Sequence, residues 1–197
     1  MSDSGERGLT TGEMMDQGFD YCYFDEEAKR RKIVGATNCW RFNQIGPDKP
    51  EESLAALKEI FGSCGERVSV QQRFSCYYGK NIHLGEDFLA NYNVSIQDTA
   101  PVHIGRNCLI GPHTVLTTTG HPLSPAGRRA HLATSAPITI GDDVWIGANC
   151  TIIGGVTIGN NVVVAAGAVV IDDLPDNCLA AGVPARVIKE IPNDLSL

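Results

Sequence analysis

In the second half of the chain an aliphatic residue stands at every sixth position: Ile140, Ile146, Ile152, Ile158, Val164 and Val170. Neither the 3.6-residue turn of a helix nor the alternation of a single strand produces that period, and self-similarity at a fixed interval predicts a repeat architecture. Each unit is too short to bury its own apolar face, so the units must stack. The pattern predicts flat β faces about six residues long, with the aliphatic pointing inward. Gly or Asn (Asn107, Asn149, Asn160, Asn161) would take corners where φ can be positive. Earlier rungs are Leu84, Ala90 and Ile96 and, after a shift in phase, Ile104, Ile110 and Leu116; the register resumes at Ile140. With three hexapeptides to a coil, one for each face, the segment 117–137 reads as an excursion that leaves the solenoid and returns. Its Gly120, Pro122, Pro125 and Gly127 suit a projecting loop, the place where solenoids concentrate binding function.

The texture differs before the solenoid. Asp25 to Lys32 has acids first and bases later, as a solvated helix start does. After the linker Gly46-Pro47-Asp48-Lys49-Pro50, the residues Leu54, Leu57, Ile60 and Phe61 fall on one helical face, with Gly62 as a stop signal. Two short helices are therefore expected to cap the open end of the solenoid. The run Lys29 to Lys32 reads as surface charge rather than a phosphate site. The expected division is a helical segment 1–66, a solenoid 67–192 carrying the loop 117–137, and a tail 193–197.

With 197 residues and 43% hydrophobic content the chain can form one substantial domain with a small appendage. Aromatic residues are only 7%, which suits a narrow interior of Val, Ile and Ala. The net charge of −7 is spread over both parts, eight basic against twelve acidic residues up to residue 60, and argues against nucleic acid as a partner. No apolar stretch approaches the ~20 residues that span a bilayer, and the polar start MSDSGERG is unlike a secretory signal. The expected location is cytoplasmic, with no membrane partner. Seven cysteines without a C-x-x-C spacing signal neither a disulfide framework nor structural zinc; small reduced side chains are the reading favoured over a catalytic thiol.

The excursion opens with Thr117-Thr118-Thr119-Gly120-His121-Pro122, where chemistry would sit. A histidine with an ordinary pKa of about 6.5 is largely unprotonated at neutral pH and can take a proton from a hydroxyl. His103 and His121 are separated by the length of one such coil, and would align on one face if the loop departs after His121. A zinc site needs three converging imidazoles, and no His-x-x-x-x-His spacing occurs among positions 83, 103, 113, 121 and 131, so no metal is expected.

The segments Asn81-Ile82-His83-Leu84-Gly85, Ala90-Asn91, Thr119-Gly120-His121-Pro122, Pro137 to Gly147 and Ala181-Gly182-Val183-Pro184-Ala185-Arg186 together resemble the galactoside and maltose O-acetyltransferase family of hexapeptide-repeat acyltransferases, over about residues 13–191. The resemblance implies an all-β solenoid, a left-handed parallel β-helix with a short helical N-terminal segment. It also implies a homotrimer that moves the acetyl group of acetyl-CoA to a hydroxyl of a sugar or other small alcohol, in a site between two subunits. Carried over by position, His121 is the general base and Asn91 orients the acceptor, though Asn91 also suits a plain solenoid corner. Asp98 falls near the acceptor pocket or serves a turn. Trp145 flanks the reacting groups. The CoA groove matches Ala148, Ala166, Ile171, Asp172, Arg186 and Lys189, the last two placed to meet phosphates.

Two departures from the family pattern stand out. Ile171-Asp172 replaces the usual Thr-Lys, putting an anion where a cation is expected near the nucleotide. On the acceptor side Tyr23, Tyr77 and Leu89 replace an acidic residue, a small polar or acidic residue, and a tyrosine. The missing carboxylates leave an aromatic setting that suits a pyranose face or a less polar alcohol. A nonenzymatic scaffold and an acyltransferase with an amine acceptor are the competing classes.

Overall fold

The computed structural model describes residues 8–194; the polar start and the end of the expected tail lie outside the described residues. Among the described residues a parallel β-solenoid follows three N-terminal helices, and its faces are sheets of seven, five and four strands. The six periodic aliphatics and the six earlier rungs are all buried and form one continuous core. The coil is not uniform but shortens along the chain: Leu89 lies opposite Leu109, Trp145 opposite Val163, and Val163 opposite Leu179. A coil of three hexapeptides therefore holds only after the excursion. The earlier coils are larger, and Asp98 and Thr99 sit buried at the shift in phase.

The corners divide the two residue types between two jobs. Asn107, Asn149 and Asn161 have positive φ, as expected, but Asn160 does not. The glycines that follow the aliphatics, among them Gly105, Gly141 and Gly147, also lack positive φ. Their reason is close stacking: a Cβ on Gly147 would stand 2.6 Å from the Ala166 nitrogen of the next coil. Helix α1 (Thr11–Asp16), which the sequence pattern does not announce, begins in a capping box between Thr10 and Glu13. Helix α2 (Glu26–Phe42) starts where the acidic run marks it, capped by Asp25, but runs 17 residues, longer than a short helix. Helix α3 (Pro50–Ile60) has Pro at its first turn. Cys39 and Phe42 of α2 and Leu57, Ile60 and Phe61 join the solenoid core, where Phe42 and Phe61 each meet Phe74 edge-on.

The basic run of α2 is not all surface. Lys29 and Arg30 pair with Glu26 and Glu27 in solvent. Arg31 is buried, because Asp16 takes its guanidinium bidentately at 2.6 and 3.0 Å and Tyr78 lies beneath it. The seven thiols are unbridged; Cys39, Cys108, Cys150 and Cys178 are buried, while Cys22 is exposed and the Cys39 and Cys76 sulfurs touch at 3.3 Å. Burial pushes the Cys108 thiol up to about 11, which disfavours a nucleophilic thiolate there.

The excursion leaves the last strand before it at Thr117 and returns at Ile138. It contains the strand Thr119–Gly120, a short helix α4 (Pro125–Arg129) and the strand Leu132–Ser135. The two strands pair antiparallel, and Leu132–Ser135 pairs again with Tyr21–Cys22 from the N-terminal segment. A three-stranded sheet thus ties the arm to the residues between α1 and α2.

Candidate active site

His121 directly follows the arm's first strand, and the base of that strand is fastened to the solenoid. The Thr99 hydroxyl lies 2.9 Å from the hydroxyls of both Thr118 and Thr119, and Thr118 donates to the Gln97 carbonyl at 2.7 Å. The His121 ring is exposed, with Nδ1 3.1 Å from the Leu132 carbonyl oxygen. A carbonyl only accepts, so Nδ1 donates, and in the neutral ring Nε2 is the nitrogen that carries the lone pair. One face of the ring is flanked edge-on by Tyr23, centroids 5.6 Å apart. Tyr23 reaches this place because Tyr21 and Cys22 pair with Ala133 and Leu132, and its own N–H donates to the His131 carbonyl.

Of the other expected acceptor residues, Tyr77 lies one layer behind. Its hydroxyl donates to the Ala28 carbonyl at 2.9 Å, and its ring packs on a small second core of Met15, Tyr21, Ala28 and Ala133. Asp98 is fully buried under the turn 77–81, where its carboxylate accepts from the backbone N–H groups of Tyr77, Tyr78, Gly79 and Asn81. Burial raises its pKa to about 6 against the opposing pull of those donors. Tyr77 and Tyr23 pack against the same small core, and Asp98 holds the turn on which Tyr77 stands.

Asn91, Leu89 and Trp145 occur elsewhere, on the outer side of the seven-stranded sheet or at its corner. Leu89, Leu109 and Trp145 are opposite one another on adjacent strands and 37%, 45% and 55% exposed, so they form an apolar column facing water. Asn91 begins the turn after Ala90; its Oδ1 accepts from Tyr92 N–H at 2.8 Å, which leaves the amide NH2 as its donor. Among the described residues no hydrogen bond or ring contact joins this group to His121. The expected site residues thus fall in two separate groups of this chain.

The expected CoA positions follow the later coils. Ala148 and Ala166 occupy equivalent corners of adjacent coils; Ala166 is exposed, and the Ala148 carbonyl accepts from the Gly167 N–H at 2.8 Å. Ile171 and Asp172 are exposed, and Asp172 accepts from Arg186 at 2.8 Å. Lys189 lies opposite Leu179 on the terminal hairpin. The departure at Asp172 thus neutralises the cation expected for phosphate.

The alignment of His103 with His121 does not occur, because the loop departs at Thr117, before His121. His103 instead stacks on His83, centroids 4.8 Å apart and nearly parallel, from strands in direct register. Burial and that neighbour lower the pKa of His83. Among the described residues no group of three His, Cys, Asp or Glu is placed to hold a metal ion. Phe24, His131 and Leu132 carry no mark in the sequence, yet all surround the His121–Tyr23 contact; His131 is one of five histidines, and only the folding of the arm singles it out.

Comparison with known proteins bears on the fold and the family. Residues 137–172 match the model described as bacterial transferase hexapeptide (six repeats), and residues 15–65 match the maltose acetyltransferase hexapeptide capping motif. The galactoside O-acetyltransferase of Escherichia coli (strain K12) is 43% identical over 166 residues, 84% of this chain and 82% of that protein. The crystal structure of a maltose O-acetyltransferase from Clostridium difficile 630 superposes with a TM-score of 0.92 at 37% identity, over 95% of this chain and all (100%) of that one. A galactoside acetyltransferase in complex with coenzyme A gives 0.89 at 40% identity, over 94% and 93%. The solenoid is the left-handed parallel β-helix of these neighbours. With the capping helices, the hexapeptide coils and the histidine-bearing arm all in place, the chain belongs to the galactoside and maltose O-acetyltransferase family of hexapeptide-repeat acyltransferases.

Proposed function

We propose that this protein is an acetyl-CoA-dependent O-acetyltransferase in which His121 Nε2 removes the proton of an acceptor hydroxyl while that oxygen attacks the thioester carbonyl. The observation that carries the reading is the Leu132 carbonyl on Nδ1, which leaves the outward nitrogen basic. Attack forms a tetrahedral oxyanion, which a backbone N–H can stabilise. Its collapse expels the CoA thiolate, which takes the proton from the imidazolium. No acyl-enzyme is needed, since both substrates meet in one ternary complex. Relatives that are named acetyltransferases, one of them crystallised with coenzyme A, support the donor.

The acceptor is a sugar or other small alcohol. Asn91 orients it through its amide, and Leu89 and Trp145 wall the site from a neighbouring subunit of a trimer. Two half-sites on different parts of one chain, one of them an exposed apolar column, are what a shared site requires. Asp98 and Tyr77 act from behind by holding the 77–81 turn. Ala148, Ala166 and Ile171 line the pantetheine path, with Arg186 and Lys189 toward the phosphates and Asp172 opposing them. Seven unbridged thiols fit a cytoplasmic enzyme.

The test is thiol release from acetyl-CoA with a panel of sugars, polyols and aromatic alcohols. His121→Ala should lower turnover about a hundredfold or more while CoA still binds. Undiminished turnover would remove His121 from this role. Sedimentation should give three times the chain mass; a monomer that remains fully active would remove the shared site.

A further inference from the structure

The residue most out of keeping with its backbone near the site is His131. It follows the C-cap of α4 in the left-handed region, with φ 60°, a position that glycine takes with least strain. Among the described residues nine other non-glycine residues share that backbone, His113 at 61° included, so what sets His131 apart is the place of its imidazole. That ring meets Phe24 with centroids 4.6 Å apart and Tyr23 at 5.6 Å, and its Nδ1 lies 3.1 Å from the Tyr23 hydroxyl. Tyr23 in turn flanks His121.

Phe24 is 52% exposed although it belongs to this cluster, so its ring presents an apolar face to solvent beside the base. Neighbouring carboxylates are engaged elsewhere: Asp25 caps α2 and Asp16 is held by Arg31. Among the described residues the wall is therefore aromatic, with a hydrogen-bonding seam between Tyr23 and His131. Such a surface loses little by desolvation against a flat apolar group, and offers a polyol few of the paired hydrogen bonds it would give up from water.

Resting on the acetyl-transfer reading above, we propose that Phe24 and His131, together with Tyr23, select an acceptor whose hydroxyl is attached to a flat apolar body, the wall taking that body while His121 takes the hydroxyl proton. Phe24 contributes the stacking face. His131 is a positioning residue, which holds Tyr23 through the hydrogen bond and closes the far side of the wall.

Phenyl and methyl β-D-glucopyranoside, identical in their hydroxyls, separate the two ideas when offered with acetyl-CoA to the full-length protein. The wild type should favour the phenyl compound at least tenfold in kcat/KM. Phe24→Ala and His131→Gly should each cut that preference fivefold or more, through KM for the phenyl compound, with KM for acetyl-CoA and the melting temperature little changed. Glycine suits the left-handed backbone at this position, so His131→Gly is expected to fold. No preference in the wild type, or an equal fall in kcat for both compounds in the variants, would overturn the proposal while leaving acetyl transfer intact. Absence of thiol release with every alcohol tried would overturn both.

Discussion

Arg186 donates to the Asp172 carboxylate across 2.8 Å, with both side chains in solvent. An exposed pair of this kind is worth under about 1 kcal/mol. Its consequence lies in binding rather than stability, since a phosphate arriving at Arg186 must displace a carboxylate. Asp172→Asn is expected to lower KM for acetyl-CoA about three- to tenfold, roughly 1 kcal/mol, with kcat unchanged and a smaller effect at high salt. Steady-state kinetics at two ionic strengths would check this, and a raised KM would contradict it.

Gly147 and Gly167 offer a comparison of two different reasons for glycine. At Gly147 an added Cβ would meet backbone of the next coil, the Ala166 nitrogen at 2.6 Å and the Val164 oxygen at 3.0 Å. At Gly167 the space is open, but φ is +76°. Overpacking against backbone costs about 1–3 kcal/mol and a left-handed alanine about 1 kcal/mol. Gly147→Ala should therefore lower the melting temperature by several degrees, roughly 3–10 °C, and by more than Gly167→Ala does. The reverse order in thermal melts would refute the stacking account.

The solenoid was open to reading because a six-residue period maps one aliphatic to one face, and burial of Ile140 through Val170 needs nothing from distant sequence. The larger early coils were there to be read as well: the eight-residue step from Ile96 to Ile104 across Asp98-Thr99 is the excess by which Leu84, which pairs with Ile104, starts a coil longer than three hexapeptides. Position matching put Tyr23 among the acceptor residues, yet its contact with His121 depends on Tyr21–Cys22 pairing with a strand more than a hundred residues away. Periodicity carries no information about that pairing. The same holds for His131, whose ring matters only because α4 turns the chain back toward Phe24. The expected alignment of His103 and His121 failed for a related reason, since spacing of one coil means alignment only while the chain stays on the coil.

Asp98 makes the stability of the fold depend on pH in an unusual direction. The other carboxylates with resolved shifts are lowered, Glu27 and Asp142 by arginine partners and Glu86 by backbone N–H groups, and lose their contribution as pH falls. Asp98 is raised by burial to about 6 from 3.8, so its contribution is full below about pH 4 and is lost as pH rises through about 6. The loss amounts to about 3 kcal/mol. Asp98→Asn would place an amide NH2 against four N–H donors and should destabilise at every pH, with the gap to wild type narrowing between pH 4 and pH 7. Chemical denaturation across that range would measure it; a gap that widens with pH would show the four donors, rather than burial, in control.

Arg31 joins α1, α2 and the 77–81 turn beside the small apolar core of Met15, Tyr21, Ala28 and Ala133. Its guanidinium takes both oxygens of Asp16 at the end of α1, reaches Glu27 on its own helix at 3.1 Å, and lies 4.9 Å over the Tyr78 ring of the turn that Asp98 holds. Asp16 also accepts from Asn81 at 2.9 Å, so the link continues into the first coils. Lysine can supply the charge but neither the bidentate fork nor the flat stacking face. Arg31→Lys should cost about 1 kcal/mol, and Arg31→Met about 1–3 kcal/mol, since Asp16 keeps Asn81 and water as partners when the guanidinium is gone. Because Asp16 closes α1 just before the Tyr21–Cys22 strand, the lysine variant should also loosen Tyr23 against His121. The expected sign is faster amide hydrogen exchange at Tyr21 to Phe24 while the rungs at Ile146 and Ile152 keep their protection; uniform exchange changes along the chain would show that Arg31 serves the fold as a whole and not this junction.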